Sequence, residues 1–564
     1  MGSQAPQKQG ASSRPWVLAA ALACSLLAML GTPWARLPHS GAEMLDQGYV
    51  MLGAAQAMAE SGLPLREIPH IQLRDCPGLE RYPFFQFYSQ APMMLGGALV
   101  LVGFNPYHAV ALVAALAFLF GFLGMWRFAR VAGASPAAAL LAAALFTLAP
   151  YHLTDWHARA ALSELSAFSA LPWVAAATWG LVLGGGWGAF LGASLAWALL
   201  LHIHPLFHVL GLGFMAALAL GLAWQQGAWK GLPRAAAAYV AGLALSIWFL
   251  APGMLLGGRM LVSGSFHAQD QAALTPLWVL FSPWRAKAAL CTTDNLGLQV
   301  GLLLWAGWLA ALLLARSRRN ALLLMLAGAC LLLVWAPFRA WDRLGPLDIV
   351  QFPYRLLTLV CLAGALPAAE GWLALARRSR LVLALLALLA LALVANYNFA
   401  APFDWTCQQV WPQPMRQKAM LQNEAYALDP GRAWGDELKV GPLRSLAGPS
   451  LQVADPLGQA RLISGDPLRP ERLWLESVGE GAVLLLPCFW YPGMYDVRIN
   501  GLSAAYGRAG VRLALRLPAG DVGLSCRFTG LGWANWASGL AWLAWLSGLA
   551  WLSLGRARAG EGKP

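Results

Sequence analysis

The sequence predicts an α-helical polytopic membrane protein of about 12 spans, with a small extracytoplasmic β-rich domain before the last span. Three observations predict it. Hydrophobic residues make up 59% of the chain and charged residues 12%, half of the roughly 25% usual in soluble domains. Apolar runs reach the ~20 residues a helix needs to cross a bilayer. Basic residues recur as short clusters between those runs, the pattern of cytoplasmic membrane loops. The net charge of +13 is therefore spread over loops rather than gathered into one face, and nucleic acid is excluded as a partner.

The first run, Trp16 to Leu30, follows Lys8 and Arg14 and has no small-x-small cleavage site after it. It reads as a retained span and not a signal peptide. The basic clusters are Lys8/Arg14, Arg127/Arg130, Lys230/Arg234, Arg316/Arg318/Arg319, Arg377/Arg378/Arg380 and Arg556/Arg558. If all are cytoplasmic, an even number of spans separates neighbouring clusters. Three apolar runs precede Arg127: 16–35, 84–103 and 109–126. The middle one is interrupted by Gln86, Ser89, Gln90 and Pro92, and suits a re-entrant or interfacial segment. Later spans fall near 135–150, 165–183, 187–203, 206–226, 235–256, 298–315, 321–337, 356–375, 381–396 and 533–555. The expectation is a multi-pass protein of a bacterial inner (plasma) membrane with both termini cytoplasmic. The alternative is 13 spans with Arg127 and Arg130 outside.

This topology leaves external loops at 37–108, 150–164, 257–297 and 338–355, an external domain at 397–531, and a last span with a cytoplasmic tail at 532–564. The domain reads as a β-sandwich. Val511 to Leu517 alternates in polarity, and Tyr495 to Gly501 ends in an Asn-Gly hairpin signal. The eight cysteines show neither a CxxC pair nor zinc spacing.

Several polar residues stand where polarity is costly. Asp46 begins an amphipathic stretch after the first span, where it is either a general base at the membrane interface or an acid favoured by a helix N-terminus. The segment from Pro150 to Glu164 holds His152, Asp155, His157, Arg159 and Glu164. In a continuous helix His152, Asp155 and Arg159 share one face, and His157 and Glu164 share another. Such a concentration of ionisable groups between spans points to function. His202, His204 and His208 fit either a metal-ligand set or a polar helix turn. Arg355 enters a span and suits a phosphate, or snorkels to the interface. Tyr82 and Tyr88 flank an aromatic stretch able to stack on sugar rings or anchor at the interface.

Three stretches, Tyr82 to Pro92, Pro150 to Glu164 and Gln351 to Arg355, resemble a bacterial integral-membrane family labelled "6-pyruvoyl-tetrahydropterin synthase-related". The layout of span, acidic external loop, aromatic-proline segment and span is similar to the GT-C glycosyltransferase superfamily. The label implies no pterin chemistry, since the soluble domain and histidine triad are missing. The resemblance implies a GT-C-like transmembrane domain over 1–396. It also implies transfer of a sugar from a polyprenyl-phosphate donor to an extracytoplasmic glycan, lipid or protein acceptor. By position Asp46 and Asp155 match the superfamily's catalytic carboxylates. His152, His157, Arg159, Glu164, Tyr82, Tyr88 and Arg355 would serve substrate or phosphate. A divalent metal is possible in that superfamily, although no Asp-x-Asp pair surrounds Asp46. A lipid-linked glycan flippase and a non-catalytic polysaccharide assembly or export subunit are the alternatives.

Overall fold

The computed structural model describes residues 14–37, 41–61, 68, 71–72, 81–260, 280, 298–335, 352–378, 437–448, 450–466 and 472–561. The first helices are α1 (Arg14–Met29), α2 (Gly41–Ser61), α3 (Phe84–Phe87), α4 (Ala91–Leu101), α5 (Pro106–Val131), α6 (Pro136–Thr147), α7 (Pro150–Thr154) and α8 (Leu162–Val182). Proline opens α5, α6 and α7 at the first helical position, where its missing N–H costs nothing. Asn105 and Ser135 cap α5 and α6 by accepting N–H groups of Tyr107 and Ala138. Then come α9 (Trp187–Ile203), α10 (Pro205–Gln226), α11 (Leu232–Leu245), α12 (Ile247–Leu256), α13 (Leu302–Leu314), α14 (Arg318–Val334) and α15 (Leu357–Ala376), with α16 (Gly532–Glu561) at the end.

Among the described residues six helices are long and apolar enough to cross a membrane: Pro106–Val131, Pro136–Arg159, Leu162–Val182, Pro205–Gln226, Pro353–Ala376 and Gly532–Leu554. Trp229–Leu245 and Ile247–Arg259, bent by 82° at their junction, make a seventh if taken as one span. Set against about 12 expected spans, the difference lies in helix length. Pro15–Met29, Trp187–Ile203 and Leu302–Leu314 are apolar but span only 10–17 residues, too short at ~1.5 Å per residue to cover a ~30 Å core upright. The expected span at 381–396 lies outside the described residues. The run 84–103, expected to be re-entrant or interfacial, forms α3 and the 11-residue α4.

Small residues set how closely the helices approach. A Cβ on Gly124 of α5 would stand 2.5 Å from the Trp173 indole nitrogen on α8. One on Gly371 of α15 would stand 2.2 Å from the Gly307 carbonyl oxygen on α13. Close backbone approach of this kind replaces the hydrophobic drive that lipid removes.

Among the described residues twelve strands form two sheets. The seven-stranded sheet joins β1 (Ile71–Gln72), β2 (Arg81–Tyr82), β7 (Val483–Phe489), β11 (Arg512–Arg516) and β10 (Gly507–Ala509) in that order, with β4 (Leu451–Ala454) also on β7 and β3 (Arg444–Ala447) on β4. The five-stranded sheet joins β5 (Arg461–Ser464), β6 (Leu473–Val478), β12 (Gly520–Phe528), β8 (Tyr495–Ile499) and β9 (Leu502–Ser503) in that order. Ten strands come from Arg444 to Phe528, whereas β1 (Ile71–Gln72) and β2 (Arg81–Tyr82) belong to the first long loop. β2 pairs in parallel with β7 (Val483–Phe489) through Arg81 and Cys488. β8 (Tyr495–Ile499) turns into β9 (Leu502–Ser503) through Asn500 and Gly501, whose φ angles are 51° and 82°. This is the type I′ geometry that an Asn-Gly pair favours. The inner faces meet in one core that includes Leu484, Leu486, Leu513, Leu515, Leu524 and Phe528. β12 (Gly520–Phe528) leads directly to α16. That helix is held on α11 and α9 by Trp542 and Trp545, whose indoles donate to the Leu245 and Leu191 carbonyls at 3.0 Å.

Candidate functional site

The segment 150–164 is helical over most of its length and buried. α7 continues into a π turn, Asp155–Arg159, which ends at Ala160 in the left-handed region with φ 54°. A non-glycine residue there costs about 1–2 kcal/mol, so the surroundings must hold it. Gln47 of α2 donates to the Ala160 carbonyl at 2.8 Å. Trp156 donates to Thr32 Oγ1 at 3.0 Å, and His157 Nε2 donates to the Ala28 carbonyl at 2.8 Å. The turn is thereby bolted to α1, α2 and the residues that follow α1.

The break also resets the helical phase. A continuous helix would set His157 and Glu164 on one face, seven residues apart. With the π turn and the left-handed Ala160 in between, Glu164 meets Arg159, which also bonds Asp155, while His157 turns towards α1. The expected shared face of His157 and Glu164 is corrected accordingly.

Glu164 is the centre of the cluster. Its Oε1 accepts the Tyr151 hydroxyl at 2.7 Å, and its Oε2 accepts Arg159 Nη1 at 2.8 Å and Arg355 Nε at 3.2 Å. Arg159 Nη1 also donates to Asp155 Oδ1 at 2.7 Å. The side chains of Asp155 and Glu164 are 0% and 2% exposed, and those of Arg159 and Arg355 are 10% and 12% exposed. Two carboxylates thus face two guanidinium groups, which is the pairing burial demands. The acids are sealed while both arginines keep an open edge. Arg355 arrives from the 3-10 turn Pro353–Leu356 before α15, and lies over the Phe352 ring at 4.9 Å; Arg159 lies over Tyr354 at 5.6 Å. Aromatic faces of this kind hold a cation without neutralising it.

The other residues expected at the site are dispersed. Asp46 is on α2 immediately before Gln47, so its turn of helix adjoins the turn that carries Asp155; its side chain lies outside the described residues. His152 is wedged between Phe146 and Phe168, with ring centroids at 4.6 and 4.7 Å, and its Nε2 has no hydrogen-bond partner among the described residues. It faces a small cavity bounded by Thr147, Leu165 and Ser169, not the arginines. Tyr82 is buried in β2, edge-on to Phe489 at 5.5 Å, within the sheet. Tyr88 lies within electrostatic range of Arg355 and 6.1 Å from the His204 ring. Tyr151, Tyr354 and Gln47 were not singled out from the sequence. Tyr151 carries the one available signal, a phenol beside ionisable groups that needs a partner once buried.

The three histidines do not gather. His202 Nδ1 pairs with Gln90 at 3.1 Å and His208 Nε2 with Tyr239 at 3.3 Å. His204 sits between α9 and α10 with extended backbone (φ −159°, ψ 104°) and packs on Phe207. Among the described residues no three His, Cys, Asp or Glu side chains converge as a metal would require. Asp155 and Glu164 are each already held by guanidinium groups, a donor set that repels a dication. The described residues therefore do not fit a metal.

No protein-family model matches the chain, and no curated protein matches it. Among solved structures it is similar to arabinofuranosyltransferase AftD from Mycobacteria, at 22% identity over 71% of this chain and 27% of that one, with a TM-score of 0.44. It is also similar to the Archaeoglobus fulgidus oligosaccharyltransferase tethered to an acceptor peptide, at 13% identity over 74% and 55% of the two chains, with a TM-score of 0.41. The chain spans about a quarter of the first and about half of the second.

Proposed function

We propose that the protein is a membrane glycosyltransferase that moves a sugar from a polyprenyl-phosphate donor to a glycan, lipid or protein acceptor on the extracytoplasmic face. The observation that carries the reading is the Asp155–Arg159–Glu164–Arg355 cluster. Sealed carboxylates hold two part-exposed arginines together, and Gln47, next to Asp46 on α2, bonds the Ala160 carbonyl that ends the turn carrying Asp155. The sequence resemblance to GT-C enzymes supports the same chemistry.

In the proposed reaction the acceptor hydroxyl oxygen attacks the anomeric carbon of the donor sugar. The bond from that carbon to the phosphate oxygen breaks, and polyprenyl phosphate leaves with the electron pair. Asp46 takes the hydroxyl proton, a contribution of about 10²–10⁴ in rate, while Asp155, sealed and bonded to Arg159, holds that guanidinium. Arg355 and Arg159 receive the charge that develops on the phosphate. Tyr151 and Glu164 keep both guanidiniums in place. His152 and His157 are positioning residues, since neither touches the arginine edge. No step is routed through a metal. In the same reading residues 1–396 form the transmembrane domain, 397–531 the external domain and 532–564 the last span and tail, in a bacterial inner membrane.

The test is sugar transfer by the purified protein in nanodiscs, offered a panel of polyprenyl-phosphate sugars, beside folded Asp155→Asn and Asp46→Asn variants. Turnover that falls at least about 100-fold in Asp46→Asn identifies the base, and a fall in Asp155→Asn reports the loss of the group that holds Arg159. Full turnover in both variants would refute the site. Donor binding without turnover by the unaltered protein would refute the enzyme reading in favour of lipid-linked glycan transport.

A further inference from the structure

The two sheets of the β-rich region differ on their outer faces. On the seven-stranded sheet, Val483, Leu485 and Ala514 point outward and are covered by Leu438 and Val440. On the five-stranded sheet no such cover occurs among the described residues. There β6 (Leu473–Val478) alternates, and Trp474 points outward with 45% of its surface exposed. A large indole left open on a polar sheet calls for a reason.

Its setting is specific. Trp474 stands opposite Gly523 on β12 and opposite Ser464 on β5 (Arg461–Ser464). A Cβ on Gly523 would lie 2.8 Å from Trp474 Cζ3 and 3.1 Å from Cε3. The six-membered ring therefore lies across Gly523, which only a residue without a side chain permits. Asn500, across the sheet, accepts the Gly523 N–H at 2.7 Å and lies at the margin of the ring. Further along the same face Asp496 is bonded to Arg498 at 3.3 Å and to Arg527 at 3.2 Å. Glu476 is exposed two residues beyond Trp474. The face carries an open indole with Asn500 at its margin, Glu476 two residues along β6, and the Asp496–Arg527 pair four residues along β12, about 14 Å of strand.

We propose that this face is a carbohydrate-binding platform centred on Trp474. A sugar ring has one side of C–H groups, which settle on the indole, and a rim of hydroxyls that donate to carboxylates and accept from guanidiniums and amides. A membrane-anchoring role for Trp474 conflicts with its position. Gly523 precedes the end of β12 by five residues, about 17 Å of strand, and the helix towards the membrane starts only after that end. The carboxylates also oppose an anionic surface. The platform is separate from the Glu164 cluster, and the inference does not depend on the catalytic reading.

The experiment is calorimetric titration of the full-length protein in nanodiscs with defined tetrasaccharides, one each of α-glucan, β-glucan, α-mannan and β-galactan type, against empty nanodiscs. At least one should bind. Trp474→Ala should weaken that binding about tenfold or more, equivalent to ~1.4 kcal/mol, while Trp474→Phe keeps most of it. Gly523→Val should weaken it as well, because its side chain lifts the intact indole off the sheet. Unchanged thermal unfolding confirms that each variant folds. Binding by none of the four sugars, equal heat with empty nanodiscs, or undiminished binding by Trp474→Ala would overturn the platform. Loss of sugar transfer with binding intact would bear on the Glu164 cluster instead.

Discussion

Replacing Glu164 with glutamine tests whether the buried cluster is one coupled unit. The carboxylate receives three donors, from Tyr151, Arg159 and Arg355. Glutamine keeps one acceptor oxygen and loses the charge, so Arg355, 12% exposed, is left without its carboxylate. Hydrogen bonds to charged groups contribute about 1.5–3 kcal/mol each, and unpairing a buried ion costs about 3–5 kcal/mol. With one acceptor retained, Glu164→Gln should cost about 3 kcal/mol. Arg355→Gln should cost less, since Glu164 keeps Arg159 and Tyr151. In the double variant the orphaned charge is gone, so its loss should fall short of the sum by at least about 1.5 kcal/mol. Unfolding in mixed micelles on titration with sodium dodecyl sulfate, followed by circular dichroism, supplies the four free energies. Additivity within about 0.5 kcal/mol would refute the coupling and with it the claim that Glu164 holds both arginines.

Three further expectations follow from the same structure. Gly371→Ala should separate α13 from α15, because the new Cβ meets the Gly307 oxygen and the Ala311 nitrogen; overpacking of this kind costs about 1–3 kcal/mol. Gly328→Ala on α14, with nothing within 4 Å, should be neutral or stabilising by up to about 1 kcal/mol, and equal effects in the same unfolding assay would contradict the packing. Asp455 should confer acid sensitivity on the β-rich region. Partial burial pushes its carboxyl up, but the N–H groups of Ala460, Leu457 and Gln459 outweigh this and hold it below the ordinary range. Its stabilising contribution is therefore present above the unfolded value of about 3.9 and lost as pH falls through the lower folded value. Asp455→Asn should lower the thermal midpoint at pH 7, and the difference from the unaltered protein should shrink as pH falls through the lowered folded value; a difference that stays constant as the pH is lowered would exclude the carboxylate as the cause.

Much of the architecture was legible because it rests on short-range rules. The apolar runs at 109–126 and 135–150 and the Asn500-Gly501 turn each act over short stretches of chain, and helices and a turn appear there. Span counting was less reliable. Whether an apolar run becomes a full crossing depends on where its helix stops, and at the 82° bend by Ser246 the backbone of Ala244, Leu245 and Trp248 is bonded by Ser538 and Trp542 of α16, nearly 300 residues away in the chain. The parallel joining of Arg81 to Cys488 was also beyond reach, since parallel strands need no local turn and leave no adjacent signal.

The cluster itself shows the limit most clearly. The sequence concentrates five ionisable groups between Pro150 and Glu164, and burial makes that concentration costly enough to mark the place. Which groups meet depends on a backbone event that helical periodicity cannot contain. A π turn adds a residue to the repeat, and one left-handed alanine then ends the helix. Neither is favoured by Asp-Trp-His-Ala-Arg as a local sequence. Both are maintained from outside, by Gln47, Thr32 and the Ala28 carbonyl, residues more than 100 positions away in the chain. The strain at Ala160 and the meeting of Glu164 with two arginines are thus one feature: α1 and α2 hold the turn open, and the open turn brings the carboxylate to Arg159 and Arg355.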